Sequence, residues 1–160
     1  MKSKEEKQLN ASCEIFPKDS SDSHESTEPN AGQLLSKLSQ SQLQQLSPTA
    51  LAYLGDAVYE LYIRRYYLLP PQRVENYHRM VVAQVRAEQQ AKMLNLLSPY
   101  LDSHELEIVR RGRNAATGRP KRVNPQVYRQ ATSLETLVGY LYLTNTERLS
   151  ELLQKLLLES

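Results

Sequence analysis

The sequence predicts an all-α fold, a helical bundle, from three observations. Leucines and other apolar residues recur at three- and four-residue spacing over most of residues 33–160. The longest of these patterns stop at prolines, and one begins at Ser47-Pro48, a pair that favours a helix start. The sequence also has no alternating apolar and polar stretch bounded by turn residues, so we expect no β-strand.

Prolines delimit the first two long helices. A weak leucine pattern over 34–46 precedes Ser47-Pro48, where a serine N-cap is followed by proline at the first helical position. The helix that begins there should reach about Leu68, because Pro70-Pro71 cannot continue it. A second long helix is expected over residues 73–97, since the next proline lies just beyond it.

The remaining helices follow a capping box. Asp102 and Glu105 have the spacing of such a box, which predicts a short helix that reaches Arg111. A segment rich in Gly, Pro and Asn comes next and predicts a loop through Asn124. We expect three further helical segments, one beginning at Asn124-Pro125, one over 132–143 and one over 146–158.

The charge distribution divides the chain into a tail and one domain. Residues 1–32 are rich in serine and carry four lysines against seven acids, a net charge of −3. They contain too few apolar side chains to offset the entropy lost on ordering, so we expect a disordered extension. Residues 33–160 carry 16 bases against 11 acids, a net charge of +5. They are long enough for a single modest core.

Composition excludes several classes of protein. The only cysteine, Cys13, rules out a disulfide framework and favours a reducing, cytoplasmic location. No apolar run has the length of a membrane helix, so we expect no membrane association. The glycine motifs that cradle nucleotide phosphates are missing. The three histidines, His24, His78 and His104, are scattered without the spacing of a zinc site.

Two acids stand out in the helix predicted after Pro48. Residues 51–63 are apolar nearly all the way round, which is typical of a buried helix, and Asp56 and Glu60 are their only charged members. Acids four residues apart share one face and repel, so burying them requires compensation. The structural alternative is an arginine partner such as Arg86, or the solvated edge of a groove.

A third acid, Glu135, is the only charge in the apolar segment between Arg129 and Glu147. A structural role is the alternative to a functional role for Glu135, because Thr132 and Glu135 also have capping-box spacing. A lone glycine accompanies the acid in each of the two segments, Gly55 and Gly139.

Since glycine in a helix interior costs about 1 kcal/mol, a close crossing of the two helices is a reasonable hypothesis. Such a crossing would bring Asp56 and Glu135, together with Glu60, into one cluster. A cluster of carboxylates without histidine or cysteine suits Mg²⁺, which prefers oxygen ligands and retains several waters.

A basic segment precedes Glu135. Residues 108–134 contain seven bases and no acid, and their arginine content suits forked contacts to phosphate. A solvated face is the alternative interpretation. Tyr128 is the one tyrosine that we consider for substrate contact, since the others fall at helical spacing among apolar residues and are expected in the core. The candidate nucleic-acid-binding residues are Arg110, Arg111, Arg113, Arg119, Lys121, Arg122 and Tyr128.

Three motifs follow one another along the chain, AYLGDAVYELYIR (52–64), RRGRNA (110–115) and YRQATSLETLVGYLYL (128–143). Together they resemble the ribonuclease III family, whose members are magnesium-dependent endonucleases that act on double-stranded RNA. The pattern is closest to the small branch, Mini-ribonuclease III, because only 17 residues follow Leu143 and leave no room for the appended RNA-binding domain of full-length members.

The resemblance assigns roles to two acids. Asp56 matches the metal-binding aspartate of the family's signature helix, and Glu135 matches the glutamate of its second acidic motif. Full-length members carry two more acids, where this chain has Ala52 and Thr132, a reduction that the Mini branch shares. Glu60 has no firm counterpart in the family and is a candidate for supporting the site without contacting the ion.

The resemblance also implies an activity and partners. It implies a ribonuclease III-type helical domain over residues 33–160, assembled as a homodimer, with Mg²⁺ as cofactor and Mn²⁺ able to substitute. The implied reaction is hydrolysis of duplex RNA that leaves 5′-phosphate ends, and the implied substrate is the stem of precursor 23S ribosomal RNA. Two other functions stay open, a non-catalytic RNA-binding module with a reduced site and a helical protein–protein adaptor.

Overall fold

The structure is a computed structural model that describes residues 37–117 and 124–158. These residues form seven α-helices and one 3₁₀ turn and contain no strand, which confirms the predicted all-α class. No helix within the described ranges is both long enough and apolar enough to cross a membrane. The predicted extension at 1–32 lies outside these ranges, as do Arg119, Lys121 and Arg122.

The helices are labelled in chain order. Their bounds are α1 Gln40–Gln45, α2 Pro48–Tyr66, α3 Val74–Val85, α4 Ala87–Leu97, α5 Ser103–Ala115, α6 Pro125–Thr144 and α7 Thr146–Leu158, with the 3₁₀ turn Ser98–Tyr100 between α4 and α5. Helix α6 is central, because α2, α4, α5 and α7 all pack against it. Its nearly uncharged sequence suits that place, and residues such as Leu134 and Leu137 are fully buried.

Local capping signals account for two helix starts. The Ser47 side chain accepts a hydrogen bond from the Ala50 N–H at 3.1 Å, with Pro48 as the first helical residue, as predicted. Asp102 and Glu105 form the predicted capping box at the start of α5. Helix α5 continues to Ala115, however, and not only to Arg111.

The prediction of one long helix over residues 73–97 is wrong, because the structure has two helices there, α3 and α4. Arg86 is extended, with φ −67° and ψ 147°, and serves as the C-cap of one helix and the N-cap of the next. No proline or glycine marks the break. Helix α4 buries several residues, including Met93 and Leu94, whereas α3 buries only Val81. The change of direction therefore lets α4 pack against α6 independently of α3.

The separate helices predicted at Asn124-Pro125 and at 132–143 are one helix, α6. The alternative capping box at Thr132 does not form, because Thr132 is buried in mid-helix and its carbonyl accepts from the Thr136 hydroxyl at 2.7 Å. Glu135 therefore has no capping role. The stretch between Pro125 and Gly139 contains no helix breaker, so the helix continues through it.

Helix α2 is buried on one side only, which corrects the expectation of a helix buried all round. Leu51, Val58 and Tyr59 lie in the core. On the opposite side Tyr53 is 87% exposed and Leu61 is 63% exposed. The expectation that the tyrosines lie in the core is wrong for several of them, because Tyr53, Tyr66, Tyr100 and Tyr142 are exposed. Helix α2 therefore presents apolar side chains to solvent.

The predicted close crossing of α2 and α6 is confirmed. A Cβ built on Gly55 would overlap the carbonyl oxygen of Glu135 and lie 2.7 Å from the amide nitrogen of Gly139. A Cβ on Gly139 would in turn overlap the carbonyl oxygen of Leu51. The two backbones are thus in direct contact, and any side chain at either glycine would force them apart.

Replacing Gly55 by alanine should destabilise the fold. In an open helix this change would stabilise by about 1 kcal/mol. Here the added methyl group meets backbone atoms that cannot move aside alone, so we expect a loss of about 1–3 kcal/mol or more in the free energy of unfolding. Urea denaturation measures the free energy of unfolding, and Thr49→Ala at an exposed site on α2 is the control. A stabilised Gly55→Ala variant would contradict the close crossing.

Candidate active site

The glycine crossing brings Asp56 and Glu135 together. Asp56 follows Gly55 on α2, and the backbone of Glu135 is the part of α6 that Gly55 contacts. The two carboxyl groups are near enough that the charge of Asp56 raises the pKa of Glu135. Two acids 79 positions apart in the chain therefore share one site, as the sequence predicted.

Glu135 has an unusually high affinity for its proton. Its pKa is raised from 4.5 to about 7, chiefly by burial and secondly by the neighbouring charge of Asp56. Hydrogen bonding from the Gln90 side chain opposes both effects. Glu135 is therefore part protonated at neutral pH, and a cation that binds there must displace the proton.

Asp56 lies nearer to solvent than Glu135. Partial burial of its carboxyl group is the largest cause that raises its pKa, and the charge of Glu60 is the second. The Gln90 side chain again acts in the opposite sense by hydrogen bonding. The site thus contains two carboxylates that are costly to ionise together, and one amide that favours their ionised forms.

Gln90 is the polar group that sequence reasoning missed. It is 1% exposed on α4 and contacts both acids through its side chain. The sequence does contain a signal for this residue. Gln90 lies at helical spacing with Met93, Leu94 and Leu97, on the side of α4 that is otherwise apolar. A glutamine in such a position is either a core residue with a partner or part of a site.

Glu60 has a partner of its own. Its carboxylate accepts from the Arg64 guanidinium, with an Nε–Oε1 distance of 2.9 Å, on the solvent side of α2. The predicted partner Arg86 forms no ion pair with either acid of α2 in the part of the chain that the structure describes. Glu60 therefore lies beside Asp56 and acts on it by charge, and it does so while bound to arginine.

The basic residues of the second motif all lie on a helix, which corrects the predicted loop at Arg113. Arg110, Arg111 and Arg113 are exposed on the last turns of α5. Arg110 donates to both carboxylate oxygens of Glu107 at 2.7 Å, so Arg111 and Arg113 are the more available cations. Tyr128 is half-buried near the start of α6.

Gly112 connects this basic face to the acids. A Cβ on Gly112 would lie 2.5 Å from the Thr136 hydroxyl and 3.1 Å from the Cα of Ser133, so α5 crosses α6 within a turn of Glu135. Arg111 and Arg113 flank that crossing in the sequence. The turn of α5 that carries these two exposed arginines therefore packs against the part of α6 that carries Glu135.

The donor set fits a hard divalent cation. Within residues 37–117 and 124–158, no group of three or more histidines, cysteines and acids is close enough to hold a metal by itself. Mg²⁺ does not require one, since one or two carboxylates, several waters and a substrate phosphate complete its coordination. Oxygen donors without histidine or cysteine disfavour zinc.

The helical fold is that of a ribonuclease III domain. The model of that family, described as "Ribonuclease III domain", matches residues 49–146, a range that contains Asp56, Gln90 and Glu135. The chain belongs to the ribonuclease III family.

Its relatives in that family belong to the Mini-ribonuclease III branch. The chain is 62% identical over 111 residues to a Mini-ribonuclease 3 of Synechocystis sp., which covers 69% of this chain and 78% of the relative. It is 59% identical over 112 residues to a Mini-ribonuclease 3 of Thermosynechococcus vestitus, covering 70% and 74%. A crystal structure of a Fusobacterium nucleatum protein is also similar, with a TM-score of 0.65 and 30% identity over 69% of this chain and 93% of that one. The class of enzyme is therefore endoribonuclease.

Replacing Glu135 by glutamine should stabilise the metal-free protein. The folded pKa of about 7 exceeds the ordinary 4.5, so the folded state holds more protons between these values and loses stability as pH rises through them. Glutamine removes that loss. We expect a melting temperature about 5 °C higher than wild type at pH 8, with a smaller difference at pH 5.

Thermal denaturation in a chelating buffer measures this difference. Glu147→Gln, at an exposed glutamate in the first turn of α7, is the matched control and should show the same difference from wild type at pH 5 as at pH 8. An equal effect of Glu135→Gln at pH 5 and pH 8 would contradict a raised pKa.

Proposed function

We propose that the protein is a magnesium-dependent endoribonuclease that cleaves double-stranded RNA and trims the stems of precursor 23S ribosomal RNA in the cytoplasm. The convergence of Asp56 and Glu135 at the glycine crossing carries the proposal. Membership of the Mini-ribonuclease III branch supports the class of substrate. Manganese, which also accepts carboxylate and water ligands, is the expected substitute ion.

In this proposal Asp56 and Glu135 hold the cation. A bound Mg²⁺ supplies activation of water and neutralisation of charge on the scissile phosphate. Glu135 must first release its proton, so metal affinity is expected to rise with pH through about 7. Asp56, the more exposed acid, faces the side from which RNA and solvent reach the site. Glu60 adds negative charge beside it while remaining paired with Arg64.

The two positions that lack the family's further acids are closed to solvent. Ala52 and Thr132 are both buried, and the Thr132 carbonyl is occupied by the Thr136 hydroxyl. The acid pair at the crossing therefore works without carboxylates from these positions, and water and phosphate oxygens supply the remaining ligands.

Helix α5 is proposed to hold the RNA backbone. Arg111 and Arg113 are exposed beside the crossing of α5 and α6, and arginine suits phosphate contacts. Arg110 contributes less, because Glu107 occupies its guanidinium. Tyr128, Arg119, Lys121 and Arg122 remain candidate contacts, the last three outside the described residues. Duplex RNA is recognised largely by shape, phosphates and 2′-hydroxyls, so weak sequence preference is expected.

The exposed face of α2 is proposed as the homodimer interface. Tyr53 and Leu61 lie eight residues apart on the same side of the helix, and Leu68 and Leu69 just beyond its end are exposed as well. A large apolar surface of this kind usually marks an interaction site. Two copies would then place two sites on one duplex.

Magnesium-dependent cleavage of a duplex RNA is the decisive assay for the proposed function. Asp56→Asn should abolish cleavage and retain RNA binding, because the site loses a cation ligand while the arginines stay in place. Glu147→Gln, an exposed acid on α7, should cleave as wild type. Binding without cleavage by the wild-type protein, with Mg²⁺ and with Mn²⁺, would favour a non-catalytic RNA-binding module.

Replacing Arg111 and Arg113 together by alanine should weaken RNA binding for all duplex sequences. Each lost phosphate contact removes one counterion-release step, so the slope of log Kd against log salt should fall by about one per arginine. Binding titrations at several salt concentrations measure it. Arg79→Ala, at an exposed arginine of α3, is the control. An unchanged salt dependence would exclude α5 from the RNA contact.

Leu61→Lys should convert a dimer into a monomer. The change places a charge between Tyr53 and Leu68 on the exposed side of α2, where burial in an interface would be costly. Sedimentation equilibrium measures the mass of each variant. Leu106→Lys, at an exposed leucine of α5, should leave the mass unchanged. A monomeric wild-type protein would rule out the proposed interface.

A further inference from the structure

Gln90 is a buried amide whose partners are the two acids of the site. It is 1% exposed, and its helix packs directly on α6. A polar group with so little access to water must find its hydrogen bonds within the protein. The Gln90 side chain lies beside both Asp56 and Glu135, which come from two different helices, and its hydrogen-bonding capacity lowers the pKa of each acid.

The two halves of the Gln90 side-chain amide have different surroundings. Its carbonyl oxygen, Oε1, is buried and has no hydrogen-bond partner among the residues that the structure describes. The NH₂ group is the half that can donate to carboxylates. Rotating the amide by 180° would turn its oxygen towards two acids and set like partial charges against each other. The orientation that leaves Oε1 without a partner is therefore dictated by Asp56 and Glu135.

The backbone fixes where this amide lies. The Gln90 N–H donates to the Arg86 carbonyl at 2.9 Å, so Gln90 lies in the first turn after the break between α3 and α4. The break sets the helical phase of α4, and with it the side of the helix that carries Gln90, Met93 and Leu94 into the core. The amide is therefore attached to a packed helix and not to a mobile loop.

We propose that Gln90 is a positioning residue of the metal site, whose NH₂ group holds Asp56 and Glu135 side by side before a divalent cation binds. The inference rests on the proposed metal-dependent activity and adds a third residue to its site. Without a bridging donor, the two carboxylates would repel each other and separate. Donors behind metal ligands fix ligand orientation in this way in many metal sites.

A neutral donor suits this task better than a charged one. A lysine or arginine at position 90 would also bind both carboxylates, but its charge would compete with the incoming cation. The amide adds no positive charge of its own to the site. It also cannot lose its donor protons at the pH values at which the enzyme works.

Gln90→Met tests the proposal, with Gln89→Met as the matched control. Methionine fills the buried space without donating a hydrogen bond. Gln89 lies next to Gln90 on α4, but its side chain donates to Gln84 at 3.2 Å. Calorimetric titration of the metal-free proteins with Mg²⁺ and Mn²⁺ should show affinity about tenfold weaker for Gln90→Met and unchanged for Gln89→Met.

Two further measurements separate positioning from a general structural role. Duplex-RNA affinity in a chelating buffer should be the same in both variants and wild type. In cleavage assays, Gln90→Met should require about tenfold more Mg²⁺ for half-maximal rate and should approach the wild-type rate at saturating Mg²⁺. A fold merely weakened by the substitution would lose both binding activities together.

Metal affinity equal to wild type in Gln90→Met would overturn the positioning role and leave the proposed nuclease intact. Wild-type protein that neither binds divalent cations nor cleaves RNA would instead reject the proposed function. If Gln90→Met does not fold, Gln90→Asn decides, because it keeps the amide and withdraws it by one methylene group. Weaker metal binding in Gln90→Asn supports the proposal, and unchanged binding overturns it.

Discussion

The backbone contact between α2 and α6 is the constraint on which the rest of the structure depends. Gly55 and Gly139 let the two helices approach until backbone atoms touch, and no other residue type fits at either position. Asp56 is fixed to one side of that contact and Glu135 to the other. The backbone positions of the two acids are therefore set by rigid, buried helices, which hold side chains more precisely than loops can.

This rigidity has an electrostatic cost. Two acids forced together and partly removed from water hold their protons more tightly, and the pKa of Glu135 rises to about 7. A structure selected for stability alone would place apolar residues at this crossing. No lysine or arginine forms an ion pair with Asp56 or Glu135 within the described residues, and the buried amide of Gln90 offsets part of the cost of their ionisation.

Local signals in the sequence were sufficient for several elements. The start of α2 at Ser47-Pro48 and the capping box at Asp102 depend on residues within four positions of each other, and both appear as predicted. The pairing of Asp56 with Glu135 was also predictable, because an isolated acid beside an isolated glycine occurs in each of two apolar segments. These features follow from backbone geometry and from the cost of burying charge.

Other features depended on packing that no local pattern encodes. Arg86 breaks a continuous helical pattern, because α4 gains more by packing on α6 than by extending α3. Thr132 has the spacing of a cap and yet lies inside a helix, since the core continues past it. Gln90 could be recognised as part of the site only once α4 lay against both acids. The sequence alone determined the helical class and the two acids, whereas the tertiary structure decided which helices join, which break and which amide serves the site, because those choices depend on contacts between distant segments.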